Sequence, residues 1–374
     1  MSGRILIVGA GIVGLCTAHA LTRRGLKVTL IEQGPVPNPI ASSTDHHRMI
    51  RYTYGAERVY CRRIAQAFHA WRGIWADLPR GEDAYYAETG VLTVSQQPGD
   101  WADLSRQTLE AEGIAFERID GAPALNARFA HLDLGNIAYG LLSPGGALMG
   151  NRIMVDLADW LRGQGAEVLE HSPVTGIDPA QARVTLASGR DLQGDLVIVT
   201  AGVGLRALVP DMAPRLRPTR TLILYAEPPG HLAEAWASAP CWSDLGGEME
   251  LWGIAPVHGL PPKLGAGAFG RADETDDDRQ ITGEEITRIL AAYRGRFRDI
   301  DEFSIRFGQA NYWTWAPEER FQIERQDRMI AASACSGHGF KFGALSGLDI
   351  AALAVGEETV GQIRPRFMGL EAGT

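Results

Sequence analysis

Gly9, Gly11 and Gly14 follow a short apolar run, precede a helical pattern, and are answered one strand later by Glu32. Each residue type meets a need of a bound dinucleotide. Gly9 permits a tight turn, Gly11 lets a pyrophosphate approach the backbone, and Gly14 lets helix and strand pack closely. The chain running through Ile12 and Val13 into the helix offers free N–H groups and a positive dipole end for phosphates. Glu32, with Gln33 beside it, can accept hydrogen bonds from ribose hydroxyls. An acid there favours an unphosphorylated ribose, hence FAD or NAD and not NADP. Spacing alone does not choose between those two. A second loop of this kind, Ser336-Gly337-His338-Gly339-Phe340-Lys341-Phe342, lies between a strand-like run and a helical one. Its glycines allow another close backbone approach to a ligand, and Lys341 adds a cation.

These loops need elements to hold them. Ile5-Leu6-Ile7-Val8 reads as a strand buried on both faces, residues 15–24 as a helix closed by Gly25, and residues 27–31 as a second strand. Residues 58–79 place Ile64, Phe68, Trp71, Trp75 and Leu78 on one face of a long helix, as core. A helix is expected over 152–162, a strand at 168–170 leading to Val174, and a hairpin over 184–192. Residues 195–202 form a buried strand ending in the small residues Ala201 and Gly202. Thr282 to Glu285 is a capping box that starts a helix. The acidic run 273–278 reads as a solvated loop. Near the C-terminus a strand is expected at 328–332 and a helix over 345–355.

At 374 residues the chain exceeds the size at which a single core stops growing, so two lobes are expected. No repeat or low-complexity tether separates them, which points to interleaving. The net charge of −9 argues against nucleic acid or an anionic membrane as partner. Four scattered cysteines with no CxxC pair argue against a disulfide framework or zinc site, and a cytoplasmic setting is expected. The apolar run 5–15 is too short to cross a bilayer. No histidine, carboxylate or metal constellation stands out elsewhere, and His338 is expected to place backbone.

With these segments in order, the chain resembles the D-amino acid oxidase superfamily of flavoenzymes, and within it the group of monomeric sarcosine oxidase and N-methyltryptophan oxidase. The likeness rests on Gly9 to Gly14, Glu32, the segment Ser42-Ser43-Thr44-Asp45-His46-His47-Arg48-Met49-Ile50-Arg51 followed by Tyr54-Gly55, and above all the loop Ser336 to Phe342. It implies FAD. It also implies an α/β fold: a Rossmann-like FAD-binding lobe of the glutathione-reductase type (1–80, 148–217 and 319–374) interleaved with an α+β substrate lobe on a large mixed sheet (81–147 and 218–318). Ser42, Ser43, Arg48, Val174, Ala201, Gly202 and the loop residues Gly337, His338, Gly339, Phe340 and Lys341 complete the implied cofactor set.

By the same resemblance Arg51 and Lys341 hold a substrate carboxylate, which suits a planar fork plus a point charge. Arg48 lies near the flavin. Lys263, in Pro262-Lys263-Leu264-Gly265, stands beside the flavin and promotes reaction with O₂, where a cation would stabilise developing negative charge. Trp252 takes the place of an active-site tyrosine. Two departures matter. The family's active-site histidine position falls on Gly267, which with Trp252 suits an amine bulkier than sarcosine. The position of the cysteine that carries flavin covalently falls on Asn311, so non-covalent FAD is expected. The implied activity is oxidation of an N-substituted or cyclic α-amino acid to an imine, with O₂ reduced to hydrogen peroxide. Other electron acceptors, or a non-catalytic flavin-binding subunit, stay open, as does a monomer or small homo-oligomer.

Overall fold

The structure is a computed structural model that describes residues 3–273 and 277–371. Its first sheet has six strands in the order Gln322–Gln326, Met329–Ser333, Leu196–Val199, Arg4–Val8, Lys27–Ile31, Glu167–Leu169. All neighbours run parallel except the outermost pair, 322–326 with 329–333. The apolar run at 5–8 alternates between two cores, as the two-residue period of a strand requires. Ile5 and Ile7 join a core built with the helices Ile12–Arg23, Arg58–Trp75, Gly150–Gly163 and Gly343–Val355. Leu6 and Val8 join a second core, under the three-stranded sheet formed by Val174–Asp178, Arg183–Leu186 and Asp191–Gln193.

Close helix packing fixes the two glycine loops relative to each other. A Cβ on Gly347 would stand 2.6 Å from the backbone of Cys16, so helices 343–355 and 12–23 cross with nothing between them. Trp71, fully buried, projects from helix 58–75 and donates its indole N–H to the carbonyl of Lys341 at 2.8 Å. Its place in the core is what the sequence periodicity predicts, and it also holds the C-terminal loop.

The second sheet has nine strands. Eight follow the order Arg271–Ala272, Arg217–Glu227, Lys263–Ala266, Leu251–Ile254, Cys241–Asp244, Val91–Ser95, Tyr139–Ser143, Glu117–Asp120, and Ser304–Trp315 pairs with 217–227. It is mixed, because 241–244 runs parallel to 91–95 while its other pairings are antiparallel. Helix Gly283–Ala292 packs against its apolar face through Ile289, and its N-terminus carries the expected capping box of Thr282 and Glu285. A short strand, Arg48–Arg51, belongs to neither large sheet and pairs with Gly145–Leu148.

Several boundaries differ from expectation. The first helix begins at Ile12, because Gly11 already serves as its extended N-cap. The last long helix begins at Gly343 and the middle one at Gly150. The acidic run is no simple solvated loop. Asp273 accepts a hydrogen bond from Tyr312 at 2.7 Å, and Asp278 pairs with the buried Arg220 at 3.1 Å, so both ends are anchors; residues 274–276 lie outside those described. Among the described residues no helix is long and apolar enough to cross a membrane.

Candidate active site

A cavity of about 1120 Å³ is lined from both large sheets and from strand 48–51. It gathers every residue expected in the site except Gly14. Gly14 acts from behind: a Cβ there would fall 1.9 Å from the carbonyl oxygen of Gly9. Gly9 itself has φ +99°, a backbone conformation that favours glycine. Glu32 is buried at the end of its strand and accepts from the N–H of Ala10 at 2.8 Å and from the amide of Asn38 at 2.9 Å. Ser43 accepts from the N–H of Ile12 at 3.0 Å, which places its hydroxyl over the helix N-terminus. At the far loop, a Cβ on Gly339 would meet the carbonyl of Ala334 at 1.9 Å, and Gly337 has φ +73°. His338 hydrogen-bonds the carbonyl of Glu319 at 3.0 Å and the hydroxyl of Tyr54 at 3.3 Å, stacked on Phe321. It fixes the loop backbone as expected.

Lys263 is the centre of a buried cluster in which the charged groups pair with one another. Its side chain is 1% exposed, and its ammonium contacts Asp45 and donates to the carbonyl of His47 at 3.0 Å. Asp45 also receives Arg48 and the hydroxyl of Tyr225, the latter at 2.6 Å. Burial works against ionising Asp45, but Lys263 and Arg48 outweigh it and hold the carboxyl below its usual range. Burial lowers Lys263 to about 8, with Arg48 acting the same way and Asp45 opposing. His47, stacked on Tyr225, is pushed down to about 3 by burial and then by Lys263. Arg48 also lies 5.8 Å from the ring centroid of Phe340. Trp252 spreads over Gly265, its cross-strand partner, with the Lys263 ammonium 5.5 Å from its ring.

Arg51 and Lys341 form a second cluster of the opposite kind. The ring of Tyr54 lies 4.6 Å from the Arg51 guanidinium and 5.5 Å from the Lys341 ammonium, and Trp101 lies 5.1 Å from Arg51. One guanidinium nitrogen of Arg51 is buried without a hydrogen-bond partner. Lys341 is 6% exposed, and among the described residues no carboxylate comes within ion-pair distance of either cation. Burial, and then the nearby Arg51, lowers the pKa of Lys341 well below that of a free lysine. Two cations desolvated beside a cavity suit an anionic ligand, since an unpaired buried charge is costly.

Sequence reasoning missed Asp45 as the hub of the first cluster, although it lies in a quoted segment. It also missed Asp244, Glu250 and Glu319 on the cavity wall. The carboxylate of Glu250 sits where a side chain on Gly267 would project, 2.2 Å from the position of its Cβ. That glycine was the available signal.

A βαβ unit with its glycine turn, a second glycine loop held against it, and buried cations over a cavity define a flavin-dependent oxidoreductase site. The family model for FAD-dependent oxidoreductases of the DAO type matches residues 4–353, and the chain belongs to that family. It is similar to human peroxisomal sarcosine oxidase (26% identical over 370 residues, 91% of this chain and 89% of that protein). It is also similar to N-methyl-L-tryptophan oxidase of Salmonella newport (23% identical over 366 residues, 94% and 95%). The crystal structure of NikD, described as an unusual amino acid oxidase essential for nikkomycin biosynthesis, shares the fold with a TM-score of 0.80 at 18% identity, covering 100% of this chain and 98% of that one. The cofactor is FAD, and the enzyme is an FAD-dependent amine or amino-acid oxidoreductase. The cradle fits it: Gly9, Gly11, Gly337 and Gly339 line the cavity, and without side chains their backbones pack directly on Thr200, Ser43, Trp313 and Ala334.

Proposed function

We propose that the enzyme oxidises an N-substituted or cyclic α-amino acid to the imine and passes the electrons to O₂. The observation that carries this reading is the pair of half-buried Arg51 and buried Lys341, facing the flavin cavity with no ion-pair partner among the described residues. The fork of Arg51 and the point charge of Lys341 would seat the substrate carboxylate, with Tyr54 keeping the two cations in place. Bound FAD supplies the acceptor for a hydride from the α-carbon. Glu32 would hold the ribose and the glycine turns the pyrophosphate, with Gln33, Ser42, Ser43, Val174, Ala201 and Gly202 along the same wall. Residues 1–80, 148–217 and 319–374 would form the cofactor lobe, and 81–147 and 218–318 the substrate lobe, in keeping with which segments supply each sheet.

Two features support non-covalent FAD. Asn311 offers no nucleophilic sulfur, and the thiol of Cys335 is pushed up by burial while its sulfur accepts from the N–H of Thr314 at 3.4 Å. Colour released into the supernatant on acid precipitation is the expected outcome. The activity is tested by anaerobic bleaching of the flavin against N-methyl, cyclic and D-amino acids. Bleaching by amines lacking a carboxylate as readily as by amino acids would overturn it. A dehydrogenase reading draws on one observation: Lys263 is balanced by Asp45, which weakens its field on O₂. Slow reoxidation by O₂ together with fast reoxidation by a quinone would select it.

A further inference from the structure

The wall of the cavity carries a second set of charges, a half-buried Asp244 and the exposed Glu250 and Glu319, with Arg51 acting against the first and the last. Asp244, Glu250 and Glu319 line it, and none forms an ion pair among the described residues. Asp244 receives only the N–H of Gly246, at 2.8 Å. Burial lifts its carboxyl to about 6, and Asp100 and Glu250 push the same way. Glu319 is lifted by burial and then by Glu250 and Glu57, against Arg51 and Lys341. The carboxylates therefore repel one another, as Arg51 and Lys341 do across the same space. An indole wall lines the same cavity. Trp252 and Trp313 lie 6.0 Å apart, Trp313 and Trp315 6.3 Å, and all three line the cavity. A carboxylate rim over aromatic faces is the environment that favours an organic cation. The buried, unpartnered Lys341 shows independently that the cavity is built for a ligand, and one that is anionic at its other end.

We infer that the substrate is a basic amino acid: besides the α-carboxylate and the amine to be oxidised, it carries a second cationic group held by Asp244, Glu250 and Glu319 against Trp252 and Trp313. This rests on the reading of Arg51 and Lys341 as the carboxylate site. Glu250 reaches the cavity because Gly267 leaves the space its carboxylate enters. A neutral side chain would leave the three carboxylates facing one another, whereas an ammonium or guanidinium would balance them.

The test uses the holoenzyme and pairs of Nα-methyl amino acids, both D and L, that differ only in a terminal methyl or ammonium: Nα-methylnorleucine against Nα-methylornithine, and Nα-methyl-2-aminoheptanoic acid against Nα-methyllysine. Anaerobic stopped-flow reduction gives the ratio of rate to Kd for each. The cationic partner should exceed the neutral one about 30-fold, and the Asp244→Asn/Glu250→Gln double variant should bring that ratio below about 3. Glu250→Lys should invert it, and serves if the double variant does not fold. Equal or reversed preference in the unaltered enzyme, an unchanged ratio in the variants, or no reduction by either partner overturns the inference. Arg51→Met separates the two readings. If it weakens both partners alike while the acidic variants leave their ratio intact, only the cation subsite fails; if it weakens neither, the carboxylate site itself fails.

Discussion

Around one cavity the molecule places two groups of buried cations that differ in one respect. Lys263 and Arg48 share Asp45, with Tyr225 and the carbonyl of His47 completing the set. Arg51 and Lys341 share only an aromatic ring, Tyr54. The first group is an internal structure, complete without a ligand. The second, in the proposed reading, is completed by the substrate carboxylate. Desolvation acts on both, so the contrast lies in what offsets it: protein in one case and, in the proposed reading, substrate in the other.

The comparison can be broken by substitutions of opposite expected sign. Asp45→Ala leaves two buried cations unbalanced and should destabilise the protein by about 3–5 kcal/mol, read from the urea midpoint at unchanged m. A loss under about 1 kcal/mol would mean that the cluster is better solvated than its burial indicates. Lys263→Met should slow reoxidation by O₂ about 100-fold while leaving the rate of anaerobic reduction within about threefold. Equal slowing of both half-reactions would remove its separate role. Arg51→Met should weaken carboxylate ligands by about 2–3 kcal/mol in flavin-perturbation titrations. In contrast to Asp45→Ala, it should leave the urea midpoint unchanged or higher, and a large destabilisation would contradict the unpaired state.

A smaller effect concerns acid. His47 in the first cluster and His338 beside the second are each held near about 3 by burial, the next largest causes being Lys263 and Lys341 respectively. Both are lowered below the usual 6.5, so the unfolded chain takes up protons first. Their contribution is fully present above pH about 6.5 and declines as pH falls towards 3, by up to about 1.4 kcal/mol per unit for each. Asp244, raised to about 6, acts in the opposite sense between about 4 and 6. His338→Asn should flatten the net fall measured by urea melts between pH 6.5 and 4, and an unchanged slope would show that His338 is charged in the folded state.

What was legible in the sequence was whatever repeats locally. The run 5–8, the spacing of Ile64, Phe68, Trp71 and Trp75, and the box at Thr282–Glu285 each carry their own period or cap. Glycines at 9, 11, 14, 337 and 339 announced a close backbone approach before any contact was known. The hub at Asp45 was not legible, because its partners at 48, 225 and 263 come from three separate strands and meet only in three dimensions. Glu250 was hidden for a related reason. Its relation to Gly267 is a cross-strand one, and its positive φ of 50° turns the side chain in a way that composition does not reveal.

The order of strands in the first sheet has a consequence for biosynthesis. Strand Arg4–Val8 lies between Lys27–Ile31 and Leu196–Val199, and the sheet reaches Met329–Ser333 only beyond that. Strand Arg4–Val8 therefore keeps one edge unpaired until some two hundred residues have followed it, and the loop facing the glycine turn comes later still. Folding dominated by such distant pairings is slow and exposes strand edges. On this order of synthesis a chain stalled before residue 341 would hold half a cradle, with the loop that faces it still to come.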